Sequence, residues 1–237
     1  MTAHRRPTVA NRRAGTRSRV RSPASPDVET HSRLLESAGR LFAERGFGKV
    51  TVREICHDAE ANVAAVSYHF RDKLGLYMAV VDAAVETIRR VNDTTMDVPA
   101  TTPAAERIRH YVRAFLPRII RSDSRAERIH KLVRHEMAEP TPAARLIVEQ
   151  IIVPRVDFLR QAIAELIGTD VDDARVSRSV MSLQAQCLFY APDRFKSAAF
   201  PGWQPTDDAS IDAAADHITR FSLAGIQSLR SERTGRR

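Results

Sequence analysis

Four side chains that donate hydrogen bonds stand close together in one short stretch of the chain. They are Ser67, Tyr68, His69 and Lys73. Hydroxyl, phenol, imidazole and ammonium groups at such spacing suit the phosphate oxygens of a nucleic-acid backbone. Contacts of this kind position a protein on a duplex but carry no sequence information of their own.

Just before these donors lies a set of small or polar residues, Asn62, Val63 and Ala64. On the outer face of a helix, such residues let the backbone approach base edges in the major groove. Asn62 is also a favourable N-cap, and Val66 and Phe70 have the spacing of a buried face. The pattern therefore predicts a short helix over 62–69 that reads DNA.

The segment before this helix has the signals of a second helix that braces it. Thr51 and Glu54 form a capping-box pattern, and a three-residue turn over 59–61 separates the two helices. Thr51 and Arg53 stand at the start of the bracing helix, where backbone N–H groups favour a phosphate. Lys73 takes the same place at the start of a third helix. This order predicts a helix-turn-helix unit.

These residues resemble the TetR/AcrR (tetracycline-repressor) family over about residues 28–80. The match is carried by Leu41-Phe42-x-x-x-Gly46-Phe47, Thr51-Val52-Arg53-Glu54-Ile55, Asn62-Val63-Ala64-Ala65-Val66 and Tyr68-His69-Phe70-x-x-Lys73-x-x-Leu76-Tyr77. The resemblance implies a homodimer that binds a palindromic double-stranded DNA operator and is usually released by a small ligand. The expected DNA contacts are Thr51, Arg53, Asn62, Val63, Ala64, Ser67, Tyr68, His69 and Lys73.

Three positions depart from the family pattern. Glu60 stands in the turn where the family usually has Gly, and a positive φ there would cost a side chain about 1 kcal/mol. Ser67 replaces a frequent Tyr, so a phosphate contact is expected to weaken or to move to Tyr68. Leu74 replaces the acidic residue that usually follows Lys73, so a reciprocal capping box is lost.

The periodicity predicts an all-α chain. A Thr-, Pro- and Ala-rich linker at 94–103 separates a three-helix helix-turn-helix domain over 27–92 from a larger helical ligand-binding and dimerisation domain over 103–231. Residues 1–26 hold seven Arg and no acid, which predicts a disordered basic tail. That tail carries most of the net charge of +8, so the remaining residues are close to neutral.

The C-terminal half resembles the CerR-type domain of this family over about 105–230. The resemblance is carried by His135-Glu136-Met137-Ala138-Glu139-Pro140-Thr141, Pro154 and Gln186-Cys187-Leu188-Phe189-Tyr190, and it implies a sensor domain. The candidate ligand-binding residues are Phe115, Glu136, Phe158, Gln186 and Tyr190. The alternative for Glu136, which shares a face with apolar residues, is a structural ion pair or a hydrogen bond to a helix start.

Apolar stripes on the last two predicted helices suggest the dimer interface. They are Val176-Val180-Leu183-Cys187 and Ile211-Ala214-Ile218-Phe221-Gly225. The family resemblance implies a four-helix interface with two helices from each subunit. The alternative is that both stripes face the core of their own subunit.

Other function classes find little support in the sequence. We find no Cys/His metal spacing, no phosphate-binding Gly loop and no nucleophile motif, so no enzyme, metal or cofactor is expected. No apolar run reaches the length of a membrane span, and two distant Cys fit the reducing cytoplasm. The leading hypothesis is a ligand-released repressor. A repressor without an effector and a basic architectural nucleic-acid-binding protein remain alternatives.

Overall fold

The computed structural model describes residues 26–99, 101–121, 124–192 and 194–231. These residues form eleven α-helices and one π-helical segment, and the described part contains no strand. The helices are α1 Pro26–Arg45, α2 Val52–Asp58, α3 Val63–Phe70, α4 Lys73–Met96, α5 Ala104–Ile120, α6 Ser124–Ala138, α7 Ala144–Ile147, α8 Val153–Ile167, α9 Ala174–Phe189, α10 Arg194–Ala199 and α11 Asp208–Ser231, with the π segment Val148–Ile152 between α7 and α8. The all-α fold predicted from the sequence is confirmed.

A first hydrophobic core lies between α1, α2, α3 and the start of α4. Leu34, Phe42 and Ile55 are fully buried there, and Val66 and Phe70 close the core from α3. Burial of apolar surface at roughly 25 cal/mol per Å² is what holds these short helices together, because isolated helices of this length are marginal in water.

The first core extends into the segment after α6. Leu132 of α6, Ala143, Ile147 of α7 and Ile151 of the π segment are buried together with residues of α1 and α4. An exposed ion pair between Arg128 and Glu36 (2.6 Å) also links α6 to α1. α1 and α4 therefore attach the N-terminal helices to the middle of the chain.

A second hydrophobic core is formed by α5, α8, α9 and α11. Its largest fully buried side chains are Ile108, Tyr111, Leu116, Leu159, Ile163, Ile167 and Leu183. α8 ends at Gly168, which adopts the left-handed conformation (φ 74°, ψ 46°) that favours glycine at a helix end. The π segment thus connects α7, which packs in the first core, to α8, which packs in the second.

The predicted linker over 94–103 is partly helical, because α4 continues to Met96. Asp173 caps α9, and the segment after Thr141 is divided into α7, the π segment and α8. The predicted basic tail lies outside the described residues, except that Pro26 begins α1. Among the helices that the structure describes, none has the length and apolar character needed to cross a membrane.

Candidate nucleic-acid interface

α3 has one buried face and one open face. Asn62 caps the helix in an extended conformation, and its Oδ1 accepts a hydrogen bond from Ala64 N at 2.9 Å. Val66 and Phe70 point into the first core, whereas Val63 is 47% and Tyr68 75% exposed. Such exposure of apolar and aromatic side chains on a short capped helix is what a surface for DNA contact requires.

Ser67 and Ala64 lie on the same open side of the helix and are exposed. Together with Val63 they form a face of small side chains that would let the helix backbone approach base edges. Tyr68 stands beside this face with its phenol in solvent. The four residues thus have the placement that sequence reasoning gave them, and their contact with DNA stays a prediction.

The start of α2 is fixed by a complete capping box. Thr51 Oγ1 accepts from Glu54 N at 3.2 Å, and Glu54 Oε2 accepts from Thr51 N at 2.8 Å and from the Thr51 hydroxyl at 2.7 Å. Arg45 adds an ion pair to Glu54 at 2.7 Å. The hydrogen bonds from Thr51 and Arg45 lower the pKa of Glu54 to about 2. Arg53 at the same helix start is exposed.

His69 differs from the expected arrangement. Its side chain is only 9% exposed and lies 3.5 Å from Asp27 Oδ1, with its ring edge-on to His31 at 5.5 Å. The reason is helical phase, since residue 69 follows Tyr68 by about 100° and turns towards α1. His69 therefore orients α1 against α3 rather than standing at the open face.

A tight turn joins α3 to α4. Arg71 has φ 72° and ψ −53°, and the Asp72 N–H donates to Phe70 O at 2.9 Å. This is a γ-turn of the rare positive-φ kind. A Cβ at Gly75 would collide with the Phe70 carbonyl oxygen, so only glycine fits there.

Lys73 occupies the first position of α4, as predicted. It is partly buried, which lowers the pKa of its ammonium, and its Nζ lies 4.3 Å from the centroid of the Phe47 ring. The Asp72 side chain caps the same helix by accepting from Gly75 N at 2.8 Å. Lys73 is therefore held in place before any DNA arrives.

Two features of this region were missed or left open by the sequence. Arg71 is exposed at the turn after α3 and is a further candidate for a phosphate contact; its basic side chain inside the Tyr-His-Phe-x-x-Lys motif was the available signal. Glu60 has φ 50°. The turn between α2 and α3 thus does require the left-handed conformation for which the family usually has Gly.

Glu136 is not placed as a ligand anchor in the second core. It is 3% exposed, and it accepts hydrogen bonds from the Tyr77 hydroxyl at 2.5 Å, from Thr141 N at 3.1 Å and from the Thr141 hydroxyl at 2.9 Å. Burial and this carboxylate together raise the pKa of Tyr77. Of the two interpretations of Glu136, the geometry matches the structural one, because its oxygens tie α4 to the turn before α7.

The other candidate ligand residues do not meet in one site. Phe115 and Phe158 lie near each other, since both rings contact Tyr111, at 5.3 and 6.3 Å between centroids. Gln186 instead donates to the Ser222 hydroxyl at 3.1 Å. Tyr190 packs on Trp203 at 5.5 Å. Periodicity alone does not predict the conformation of the loop that carries Trp203. The sequence therefore did not show that Gln186 and Tyr190 lie apart from the two phenylalanines.

The two apolar stripes on α9 and α11 divide between core and surface. Val176, Val180, Leu183 and Cys187 of α9 are all buried within the subunit, as are Ile211, Ala214 and Ile218 of α11. For these residues the intramolecular alternative is the correct one, and only the end of the α11 stripe, Phe221 and Gly225, is exposed.

Large apolar side chains remain open on the outer sides of the same two helices. Met181 is 72% and Phe221 65% exposed, and Leu188 is also exposed. Between α9 and α11 runs a groove of about 420 Å³ lined by Ser182, Gln186, Phe221, Ser222 and Gly225, among others. A helix pair with this surface suits contact with a second helix pair.

Two comparisons with known sequences bear on this geometry. The family model for the C-terminal domain of the HTH-type transcriptional dual regulator CecR matches residues 104–226, which is more than half of the chain. The model for bacterial regulatory proteins of the tetR family matches residues 34–80. The chain belongs to the TetR family. Its C-terminal domain is of the CecR type, and CecR replaces the designation CerR used for the sequence resemblance.

Named relatives of the chain are regulators of transcription. CecR of Shigella flexneri is 25% identical over 198 residues, covering 81% of this chain and 88% of CecR. The transcriptional activator FasR of Mycolicibacterium smegmatis is 31% identical over 144 residues, covering 61% of this chain and 60% of FasR. TetR-family regulators bind operator DNA as dimers, and this chain is a DNA-binding regulator of that family.

Solved structures share the fold. AibR in complex with isovaleryl coenzyme A and operator DNA superposes on this chain with a TM-score of 0.59 at 18% identity, covering 79% of this chain and 97% of AibR. SCO4454, a TetR-family regulator from Streptomyces coelicolor, superposes with a TM-score of 0.56 at 20% identity, covering 84% of this chain and 97% of its own.

Proposed function

We propose that this TetR-family protein is a transcriptional repressor that leaves its operator when a small molecule binds the C-terminal domain. The observation that carries the DNA-binding part is the open face of α3, where Val63, Ala64 and Ser67 are exposed beside Tyr68 while Val66 and Phe70 anchor the helix. A surface of small side chains on a rigidly held helix reads bases, and the neighbouring donors position it.

The phosphate contacts are assigned to the ends of the helices. Thr51 and Arg53 at the start of α2 and Lys73 at the start of α4 flank α3, and Arg71 joins them at the turn. These groups would hold the two strands of one half-site while Asn62, Val63 and Ala64 face the bases. His69 has no direct part in this assignment because its side chain contacts α1.

The operator is a palindrome read by a homodimer. The exposed apolar surface of α9 and α11 forms the interface, and the two copies of α3 then occupy half-sites roughly 34–36 Å apart. Such a protein is a regulator and not an enzyme, and it acts in the cytoplasm, where chromosomal DNA lies.

A small-molecule effector is supported by the known structure of AibR, which holds both isovaleryl coenzyme A and operator DNA. Effector binding would shift the equilibrium between subunit arrangements that fit and do not fit the operator. The name of CecR, a dual regulator, favours a second possibility: the same operator complex activates some promoters and represses others.

The test is a gel shift with the DNA upstream of the protein's own gene, at moderate salt and with excess nonspecific competitor. Wild-type protein should give a specific shift, and Tyr68→Ala should weaken it about tenfold or more, since a hydrogen bond to a charged phosphate contributes about 1.5–3 kcal/mol. Arg109→Ala, at a partly exposed position of α5, is the control. An intact dimer without a specific shift would refute the proposal.

Deletion of residues 1–26 separates this proposal from a basic architectural role. We expect lower affinity and a weaker salt dependence, with the preference for the operator retained. Loss of all binding upon deletion would favour the architectural alternative. Reporter assays with and without the regulator distinguish repression from activation.

A further inference from the structure

A cluster of polar side chains sits inside the second core without an acid to balance it. Gln184 is 9% exposed, and its Nε2 is buried without a hydrogen-bond partner. Arg155 is half-buried; its Nε is also buried and unpartnered. Within the described residues no carboxylate pairs with Arg155. Buried donors without an acceptor are costly, so their presence calls for a partner.

Both groups converge on Tyr111. The Tyr111 hydroxyl donates to Gln184 Oε1 at 3.3 Å, which orients the amide so that its Nε2 remains for another acceptor. The guanidinium of Arg155 lies 5.0 Å from the ring of Phe115, which stacks on Tyr111 at 5.3 Å. The donors of α8 and α9 thus each contact one of two stacked aromatic rings on α5.

The electrostatics of the surrounding groups agree with this placement. Burial raises the pKa of Tyr111 and raises the pKa of the Cys187 thiol to about 12, and the positive charge of Arg155 opposes both shifts. Burial also lowers the pKa of Arg118, whose charge acts on the same phenol. The charges of Arg155 and Arg118 therefore both act on the Tyr111 phenol.

We propose that this cluster is the effector site and that it binds a small organic anion. A carboxylate or phosphate group would accept hydrogen bonds from Arg155 and Gln184, and an apolar body would pack against Phe115 and Phe158. The assignment rests on the proposed function, because it names the chemical class of the molecule that releases the DNA. Of the ligand residues expected from the sequence, it keeps only the two phenylalanines.

The position of Arg155 also connects the proposed anion site to the N-terminal helices through the chain. Arg155 lies in the first turn of α8, directly after the π segment, whose Ile151 is buried in the first core. π-helical turns often mark functional positions in a helix. Binding of an anion at Arg155 would therefore act on a segment that packs against α4, the helix that follows α3.

The experiment uses the full chain with four variants and three probes of equal chain length: octanoate, octyl phosphate and octanamide. At about a hundredfold excess over Kd, an anion should raise Tm by about 5–10 °C and release the operator. Octanamide should do neither. A response to octanoate alone identifies a carboxylate effector, and a response to octyl phosphate alone a phosphate.

The variants are Arg155→Met, Arg155→Lys, Gln184→Leu and, as the control for loss of one positive charge, Arg145→Gln on an exposed part of α7. Arg155→Met and Gln184→Leu should each abolish or reduce the anion response at least tenfold, and Arg155→Lys should keep part of it. Without ligand, Arg155→Met should melt no lower than wild type, since it removes an unpaired charge. If Arg155 only stabilised the fold, the Arg155→Met variant would instead have a lower Tm than wild type.

The inference is overturned if neither anion raises Tm, if octanamide acts as well as octanoate, or if Arg155→Met responds like wild type. Operator binding is measured separately without any probe. A wild-type protein that binds no operator would refute the proposed function, while the Tm measurements would still decide whether the anion site exists.

Discussion

Two residues with strained backbone frame the reading helix. Glu60 (φ 50°) lies in the turn before α3, and Arg71 (φ 72°) forms the turn after it. Non-glycine residues adopt such angles at a cost of about 1 kcal/mol or more each, and they persist only where surrounding structure demands it. The orientation of α3 is therefore fixed by the backbone conformation at both of its ends.

Replacing Glu60 by glycine should stabilise the protein. Relief of the left-handed strain outweighs the extra chain entropy of glycine, and we expect a gain of about 0.5–1 kcal/mol in the free energy of unfolding. Urea denaturation followed by circular dichroism measures it. Glu44→Gly, in regular α1, should instead destabilise by about 1 kcal/mol. Equal losses in both variants would contradict this account of the turn.

The capping box at the start of α2 should make stability depend on acid pH. The folded-state pKa of Glu54 is about 2, below its usual 4.5. Its contribution is therefore fully present above about pH 4.5 and is lost as the pH falls towards 2. In thermal melts from pH 7 to pH 2, the Tm difference between wild type and Glu54→Gln should shrink over that window. A difference that stays constant with pH would exclude this role.

At the scale of elements, the end of α3 and the start of α4 pack so closely that no additional atom fits between them. The Phe70 carbonyl lies against the Cα of Gly75, and Asp72 caps the same first turn of α4. Because Lys73 and Tyr68 flank this contact, any shift of one helix against the other changes the spacing of two candidate DNA contacts.

Gly75→Ala tests this close approach. The added methyl group must displace backbone, so we expect a loss of about 1–3 kcal/mol in stability and a clear loss of operator affinity. Gly39→Ala is the matched control: its methyl group would lie 3.8 Å from Val80 Cγ1, an ordinary contact, and alanine favours the helix. Measurements are urea denaturation and gel shift. A Gly75→Ala protein as stable as Gly39→Ala would refute the argument.

The sequence predicted those features of the elements that depend on near neighbours. The Thr51 capping box, the Asn62 cap and the burial of Val66 all follow from spacings of a few residues. It could not predict that Glu136 pairs with Tyr77, 59 positions away, or that Gln184 contacts Tyr111 and Arg155 contacts Phe115. Such contacts depend on how whole helices pack, which periodicity does not specify.

The bond between Tyr77 and Glu136 joins α4 to the turn before α7. In Glu136→Gln, the amide NH₂ would face donors in place of a carboxylate oxygen, and we expect a loss of about 1–3 kcal/mol in the free energy of unfolding. Glu139→Gln, at an exposed residue three positions away, should have little effect. Chemical denaturation compares them. Similar stability of the two variants would show that the buried carboxylate contributes little.

At the scale of the whole molecule, one continuous run of helix from α7 through the π segment to α8 joins the two hydrophobic cores. The outer surfaces of α9 and α11 keep large apolar side chains in solvent, Met181, Leu188 and Phe221 among them. A patch of this kind on a single subunit indicates an interface. In the proposed function, operator binding at two half-sites depends on that interface.

Phe221→Glu should convert the protein into a monomer and abolish the specific gel shift at concentrations where wild type binds. A carboxylate at the centre of an apolar interface is desolvated without a partner. Sedimentation equilibrium gives the mass, and circular dichroism checks that the helices remain. Val171→Glu, at another exposed apolar position, should stay dimeric. A dimeric Phe221→Glu protein would place the interface elsewhere.

The wide turn at Val148–Ile152 has a consequence for how this chain tolerates changes of length. A π-helical turn holds about one residue more than an α-helical turn, and one residue corresponds to about 100° of rotation. Ile151 is buried in the first core and Leu159 in the second. A homologue with one residue fewer here would turn α8 away from one of the two. This stretch should therefore accept substitutions far more readily than a single-residue deletion.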